Sequence, residues 1–414
     1  MSHITKIILK VILARIKSKL EREIGEEQYG FMKDKGTTNA IYIMRNICER
    51  ATEMQKNLFL CFIDYEKAFD KVQHQKLFNI LAKTEIDGKD LRLLRNLYWN
   101  QQAAIDIDQR KTEWKTIKRG VRQGCVASPI LFSYYGELIL RCIQELEGIK
   151  IGGVNINNIR YADDTVLIAD TEEKLQKLVD EFNRISETYG LKINIKKTET
   201  MVVTKSDTVP ACNITINNTS IKQANSFIYL GSTITSDARC ITEIRKRIGI
   251  AKTSFQKMRT LLCNIKINMK TRMRALKTYV WSTLTYGCET WTLNKEAQDK
   301  LEAFEMWTIR RMLRIPWTAK KSNKEVLQQA GTDRELMKQV KKRQLKFMGH
   351  VVRKNKIELL SITGKIEGTK SRGRPRHMLI DRIIASNNLT CKPTDLIRLA
   401  ENRGRWRDMI AQVT

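Results

Sequence analysis

The sequence predicts an α/β chain of the α+β kind: a small antiparallel sheet with acidic residues at its edge, and helices for most of the remainder. Three observations carry that prediction. The run Leu58-Phe59-Leu60-Cys61-Phe62-Ile63 is apolar throughout and stops at Asp64, as a strand buried on both faces reads when it delivers a charge to a sheet edge. From Asn158 to Asp170, Asp163 and Asp164 stand between two short runs rich in Ile, Val, Leu and Tyr, the pattern of a β-hairpin with an acidic turn. Elsewhere apolar residues recur at helical spacing, as in Ile4, Ile7, Ile8, Val11, Ile12 and Ile16, and again in Leu175, Leu178, Val179, Phe182 and Ile185.

Neighbouring side chains on a strand point to opposite faces, so Asp163 and Asp164 can aim at one point only where a turn bends the backbone. A lone Asp-Asp pair is most often a solvated hairpin tip. Asp64 changes that reading. Burying its charge without compensation is costly, so it wants a cation. Magnesium suits it, because Mg²⁺ takes oxygen ligands, is held by one or two carboxylates, and keeps the rest of its shell for water and substrate phosphates. Asp64 and Asp163 lie 99 positions apart and share such an ion only if their strands are neighbours.

Composition narrows the partners. The 414 residues are 42% hydrophobic with a net charge of +30, enough for a large core in two or three domains. Residues 1–237 hold 35 basic and 30 acidic residues, a net of +5, whereas 238–414 hold 40 and 15, a net of +25. So lopsided an excess favours a polyanion partner for the second half, nucleic acid before membrane, with binding that weakens steeply in salt. The nine cysteines have no paired spacing and only four histidines accompany them, which fits a reducing compartment and offers no zinc-ligand pattern. Lys6, Lys10, Arg15, Lys17 and Lys19 interrupt the apolar N-terminus, so it reads as neither signal peptide nor membrane span. Nucleus or cytoplasm is the expected location, with no membrane partner.

Along the chain, a second helical pattern through Ala40, Ile43, Met44 and Ile47 follows the loop 32–38, where Lys33 and Lys35 sit. Helices are predicted over 75–83 and 89–98, then strands over 103–108 and 112–118. Gly120-Val121-Arg122-Gln123-Gly124 leads to Ser128-Pro129, which reads as an N-cap followed by proline at the first helical position. A helix over 172–189 and a strand over 191–203, with Lys196 and Lys197 in its middle, come next. From Glu243 the chain is helical and basic, with Arg245, Lys246, Arg247, Lys252, Lys257, Arg259, Lys270, Arg272, Arg274 and Lys277; Trp281, Trp291, Trp307 and Trp317 are expected to pack helices. Lys338 to Lys356 is another basic helix. Ser371-Arg372-Gly373-Arg374-Pro375-Arg376 reads equally as a minor-groove arm, a linker or a nuclear import segment, and 396–410 as a closing helix.

The order of these features resembles a known series. Asp64 with Phe69, Arg122-Gln123-Gly124-Cys125 with Ser128-Pro129, Tyr161-Ala162-Asp163-Asp164, Gly190-Leu191-Lys192-Ile193-Asn194 with Lys197-Thr198, and Tyr229-Leu230-Gly231 resemble the motifs of reverse transcriptases, most of all those of non-LTR (LINE-like) retrotransposons. The Tyr-Ala-Asp-Asp box alone is weak; five boxes in order over Leu58 to Ile234 are strong. The resemblance implies a right-hand polymerase, with partial fingers over 1–56, a palm over 57–237, a helical thumb over 238–330 and a basic helical region over 331–414. It implies an RNA-directed DNA polymerase that transfers dNMP to a primer 3′-OH with two Mg²⁺ ions, or Mn²⁺ in their place. Its partners would be an RNA template, a DNA primer and deoxynucleoside triphosphates, within a ribonucleoprotein of its own element RNA.

The resemblance also assigns roles. Asp64, Asp163, Asp164 and the Tyr65 backbone carbonyl would hold metal, and Lys197 would give a proton to pyrophosphate. Phe69 would lie beneath the sugar and exclude a ribose 2′-OH; Arg122, Gln123 and Gly124 would contact the nucleotide; Tyr229, Leu230 and Gly231 would grip the primer. Gln28-Tyr29-Gly30-Phe31 is similar to a fingers segment whose basic residues approach template or nucleotide. Against that pattern the expectation is an N-terminally truncated copy, without a preceding endonuclease domain and without the fingers strand that would supply an arginine to the triphosphate. The rival readings are a catalytically dead nucleic-acid-binding relic and a maturase-like RNA-binding protein.

Overall fold

Six consecutive apolar side chains leave a strand no solvent face, and Leu58–Ile63 (β1) takes the centre of a five-stranded sheet with all six residues buried. The computed structural model describes residues 3–99, 101–108, 110–122, 124–369 and 378–413. They divide into two compact units, 1–40 with 57–225 and 41–56 with 226–414. The boundary at 225/226 places the segment 226–237 with the second unit, and residues 41–56 join that unit as well.

In the first unit the sheet runs β5–β4–β1–β3–β2, where β2 is Asn158–Tyr161, β3 Asp164–Ala169, β4 Glu199–Val203 and β5 Lys222–Gln223. β1 is antiparallel to both neighbours, pairing Ile63 with Thr165 on one side and Leu58 with Val203 on the other. Its alternate residues Phe59, Cys61 and Ile63 share a core with the helices α3 (Ser128–Arg141) and α4 (Glu172–Thr188), through Phe132, Tyr135, Leu175, Leu178, Val179 and Phe182. The period-2 face of a strand against the 3.6-period stripe of a helix is what the sequence pattern requires.

Helix α1 (His3–Glu23) buries Leu9, Ile12, Ile16 and Leu20, whereas Ile4, Ile7, Ile8 and Val11 are exposed. The predicted apolar face is therefore turned by part of a helical step, because the stripe that meets the core continues to Leu20. The predicted strands 103–108 and 112–118 shrink to two-residue ladders, Gln102–Ala103 with Lys115–Thr116 and Asp106–Ile107 with Arg110–Lys111. All eight residues are exposed, so no core face extends these pairs.

The second unit is mostly helical. It opens with a hairpin, Ser226–Tyr229 (β6) and Ser232–Thr235 (β7), whose turn residues Leu230 and Gly231 both have positive φ, 48° and 75°. Two positive φ angles are the I′ signature. Arg45, on helix α2 (Thr37–Glu53), donates to Ser232 Oγ and the Thr233 carbonyl at 3.0 and 2.8 Å. Helix α5 (Ile241–Lys257) presents Glu243, which accepts from the Thr233 N–H and from Arg247 Nε, each at 2.7 Å. Trp281 and Trp291 are wholly buried, and Gln344 of α6 (Leu336–Lys354) donates to the carbonyls of Cys288 and Trp291. These two tryptophans pack helices.

The predicted closing helix is two, α7 (Pro393–Glu401) and α8 (Arg403–Val413). Asn402 separates them because its side chain accepts the N–H groups of Gly404 and Arg405, capping the second. Residues 371–376 lie outside the described residues. Among the described residues, no helix is long and apolar enough to cross a membrane.

Glu243 yields a pH prediction. Burial alone would raise its carboxyl pKa, but the Arg247 guanidinium and the Thr233 N–H and hydroxyl outweigh burial and hold it below the usual carboxylate range. A depressed folded pKa gives stability that is present above the unfolded value, about 4.3, and lost as pH falls through the folded value. Glu243→Gln should cost about 1.5–3 kcal/mol in urea unfolding near neutral pH, with the gap to wild type closing on acidification. A gap independent of pH would contradict this origin.

Candidate active site

The turn between β2 and β3 is the tightest a hairpin allows. Tyr161 pairs with Asp164, leaving Ala162 and Asp163 as the two turn residues, and Ala162 has φ 60°. A positive φ at the first turn position alone belongs to the II′ type, where glycine is usual. An alanine held there stores of the order of 1–3 kcal/mol. One step beyond the Ile63–Thr165 pair, the register sets Asp64 opposite Asp164, and residues opposite one another share a face. Asp64 and the hairpin carboxylates thus come to the same end of neighbouring strands.

The carboxylates sense one another. Enclosure raises the Asp163 pKa, and the Asp64 charge adds to that rise. Asp164 keeps one side open to solvent, yet partial enclosure, followed by the charges of Asp163 and Asp64, pushes it up to about 6. Asp64 Oδ2 is shut off from solvent and has no hydrogen-bond partner. Among the described residues no group of three or more His, Cys, Asp or Glu side chains is drawn together as a closed metal cage. An open site of one or two carboxylates, completed by water and phosphate oxygens, is how Mg²⁺ is usually held. An orphaned carboxylate oxygen beside two others with raised pKa fits a hard divalent cation.

A second segment braces Asp64. The Asp64 carbonyl accepts the Asn194 N–H at 2.7 Å and Glu66 donates its N–H to the Lys192 carbonyl at 2.9 Å, while the Asp64 N–H reaches Thr198 Oγ1 at 3.3 Å. The predicted strand 191–203 is consequently broken. The Asn194 carbonyl accepts the N–H groups of Lys197 and Thr198, forming a turn, and β4 begins only at Glu199. Lys197 rides on that turn with Nζ 4.0 Å from Asp64 Oδ2 and its side chain 71% exposed. So open a pair is worth about 1 kcal/mol at most; it brings an ammonium beside the carboxylates without fixing it.

Tyr65 sends its side chain into the core. Its hydroxyl lies 2.7 Å from that of Ser186, its ring stacks on Phe182, and burial raises the phenol far above its usual range. The flanking hydrogen bonds at Asp64 and Glu66 make Tyr65 and Ile193 a non-hydrogen-bonded pair, so the Tyr65 carbonyl points away from residues 190–194. Phe69 follows a left-handed Lys67 (φ 51°), stacks on Phe132 at 4.1 Å, and meets the edge of Phe31 at 6.3 Å.

Arg122 is exposed, with Nε 3.2 Å from Gln101 Oε1, and Gly124 (φ 78°) has open space where a Cβ would stand. Gln123 lies outside the described residues. Ser128 is the first residue of α3, not its cap. Its hydroxyl donates to the Arg122 carbonyl at 2.6 Å, so it ties the glycine loop down. Tyr229, Leu230 and Gly231 form the strand end and turn of the hairpin in the second unit; Tyr286 Oη donates to the Leu230 carbonyl at 2.8 Å and Arg247 to the Gly231 carbonyl.

The residues least visible in the sequence are those that hold the acidic turn. Gln28 is 1% exposed, and its Oε1 accepts from the N–H of Gly30 at 2.8 Å and of Ala162 at 3.0 Å. A Cβ on Gly30 would stand 2.2 Å from the Ala162 nitrogen, so only glycine lets the chain pass there. Behind the turn, Arg160 is buried and lies 2.9 Å from Glu137 of α3 and 3.9 Å from Glu27. Lys35, in the loop that follows, donates to the carbonyls of Glu26 and Gln28 and covers the Tyr29 ring. A glutamine 134 residues from its partner leaves no periodic trace.

With this geometry in hand, the comparisons define the class. Residues 1–234 match the family model described as "Reverse transcriptase (RNA-dependent DNA polymerase)", and the chain belongs to that family. Its relatives are polymerases of non-LTR retrotransposons. It is 27% identical over 239 residues to the Pol polyprotein from the type-1 retrotransposable element R2 of Nasonia vitripennis, covering 54% of this chain and 23% of the relative. It is 24% identical over 323 residues to the RNA-directed DNA polymerase from mobile element jockey of Drosophila funebris, covering 75% and 35%. The chain therefore spans 23% and 35% of the length of those two relatives. Telomerase from Candida tropicalis aligns with 95% of this chain and 55% of its own at 12% identity and a TM-score of 0.41.

Removing one partner of a buried ion pair strands the other. Glu137→Ala leaves the Arg160 guanidinium buried with Glu27, 3.9 Å away, as its ion-pair partner among the described residues, and should cost about 3–5 kcal/mol in chemical denaturation. A loss below about 1 kcal/mol would show that the pair bears little of the fold's stability.

Proposed function

We propose that this chain extends a primer 3′ end with deoxynucleotides on an RNA template by two-metal nucleotidyl transfer, with Asp64 and Asp163 as the principal metal ligands and Asp164 assisting. The observation that supports it most is Asp64 Oδ2, a buried carboxylate oxygen with no hydrogen-bond partner, at the strand end beside a hairpin whose two aspartates both have raised pKa. Bound Mg²⁺ would neutralise the charge gathering on the attacking and leaving oxygens.

The protein's own groups do the rest. Asp64, Asp163 and the outward Tyr65 carbonyl offer oxygen ligands. As the primer 3′ oxygen gives up its proton to solvent and bonds to the α-phosphorus, the bond to pyrophosphate breaks, and Lys197 would give the departing oxygen a proton. Phe69 is pinned between Phe132 and Phe31, a fixed ring that can reject a 2′-OH by volume. Arg122, Gln123 and Gly124 are the proposed nucleotide contacts, and the Tyr229–Gly231 hairpin the proposed primer contact. Template RNA, assembly with the element's own RNA, and work in the nucleus complete the reading.

The excess of +25 over 238–414 favours a second reading, a protein that binds nucleic acid without turnover. Primer extension on poly(rA)/oligo(dT) separates the two. Incorporation by wild type that falls roughly a thousandfold in both Asp163→Asn and Asp64→Asn supports the enzyme; salt-sensitive binding with no incorporation supports the binder. In the same assay, Phe69→Ala should raise ribonucleotide use relative to deoxynucleotide use by roughly tenfold or more, and an unchanged ratio would remove Phe69 from sugar selection.

A further inference from the structure

We propose that Gln28 is a positioning residue for the metal-holding carboxylates, its side-chain oxygen keeping the Ala162-Asp163 turn in its left-handed form; this rests on the reading of Asp163 as a metal ligand. Pairing of Tyr161 with Asp164 closes the hairpin ladder behind the turn and leaves the Ala162 N–H without a ladder partner. Gln28 Oε1 supplies one at 3.0 Å, while also accepting from Gly30 at 2.8 Å. Gln28 cannot drift from this post. Tyr29 donates its N–H to the Arg160 carbonyl at 2.8 Å and Arg160 donates its own to Glu27 at 3.0 Å, so residues 27–29 lie parallel to β2 with Gln28 bridged to Arg160.

A non-glycine residue at φ 60° drifts to negative φ unless its surroundings forbid it. The Gly30 backbone passes so close to the Ala162 nitrogen that not even a Cβ would fit between them, and the glutamine oxygen already gives the Ala162 N–H the partner that relaxation would otherwise seek. Were the turn to relax, Asp163 would swing relative to Asp64, whose place is fixed independently by Asn194 and Thr198. Metal and catalytic constellations tolerate displacements of only about half an ångström. Gln28 touches neither substrate nor metal in this arrangement; it acts through the turn. The next residue after Gly30, Phe31, meets the Phe69 ring, so the segment that fixes the carboxylates also borders the proposed sugar-selecting side chain.

The test uses Mn²⁺ as the probe, with the full-length chain titrated by electron paramagnetic resonance in four forms: wild type, Asp163→Asn, Gln28→Met, and Gln28→Met with Ala162→Gly. Methionine keeps the shape of glutamine without the accepting oxygen, and glycine tolerates positive φ with no Cβ. Expected are loss of the site in Asp163→Asn, at least tenfold weaker Mn²⁺ binding in Gln28→Met, and recovery to within about threefold of wild type in the double variant. Recovery by a glycine 134 positions away separates positioning from general damage to the fold. Gln28→Met with wild-type affinity, or a weakened variant that glycine does not rescue, overturns the proposal. If Asp163→Asn leaves Mn²⁺ binding unchanged, the metal assignment fails, and hydrogen exchange over residues 158–165 then decides the clamp by itself: exchange at least tenfold faster in Gln28→Met than in wild type supports it, and equal rates overturn it.

Discussion

A carboxylate at the end of a strand with no solvent face must be reconciled with the apolar mass behind it. Asp64 stands at that boundary. β1 is buried along all six residues, so the strand cannot slide or rotate without exposing Phe59, Cys61 and Ile63, each worth about 1.5–3 kcal/mol if lost from the core, cysteine somewhat less. The fixed strand makes the position of Asp64 a consequence of packing. Its backbone is then bonded on the Asn194 and Thr198 side, while Oδ2, shut off from solvent, is left without a hydrogen bond.

The two hairpins, one in each unit, solve the same difficulty in different ways. Ala162 in the first unit and Leu230 in the second are side-chain-bearing residues at positive φ, where glycine would cost least. At Ala162 the exposed group is an N–H, and a buried glutamine oxygen accepts it. At the second turn the groups are carbonyls. Tyr286 donates to Leu230, Arg247 donates to Gly231, and the Arg247 guanidinium lies over the Tyr286 ring at 4.5 Å. In each case a left-handed turn is kept by complementary hydrogen bonding from a segment distant in sequence. A glycine would have made the conformation easy to adopt and equally easy to leave.

What was legible in the sequence follows from the range of the interactions. β1 and the acidic hairpin are visible as short apolar runs bounded by acidic residues, and α4 by its 3.6-residue period, because the hydrophobic effect acts on such local patterns directly. Motif order identified the family because the boxes are short and contiguous. The failures share a cause. Strand 191–203 broke at Asn194 because a backbone carbonyl took two N–H groups that a strand would have given to a neighbour. Ser128 has the local sequence of a cap, yet its hydroxyl bonds six residues back to Arg122. Glu137 and Arg160 pair across 23 positions with nothing in their immediate neighbourhood to distinguish them from solvated polar residues, and Gln28 stands out only through the Gln28-Tyr29-Gly30-Phe31 likeness, which says nothing of its bond across 134 positions.

The positive charge of residues 238–414 is subject to the same distinction between near and far. At distances beyond a few ångströms only the net excess matters, and it draws a polyanion in. At contact, the number of guanidinium and ammonium groups free to replace counterions sets the salt dependence. Several are already engaged. Arg272 is buried with its guanidinium on the carbonyls of Ile267, Leu262 and Met312; Arg343 is held by Glu289 and Thr285; Arg247 is shared between Glu243 and Gly231; Arg245 pairs with Glu296. These residues brace helices and the hairpin. On the proposed reading, a steep long-range attraction would combine with a salt slope shallower than forty basic residues would suggest, and cations on exposed positions such as Lys257, Lys270 and Arg274 would be the ones to meet phosphate.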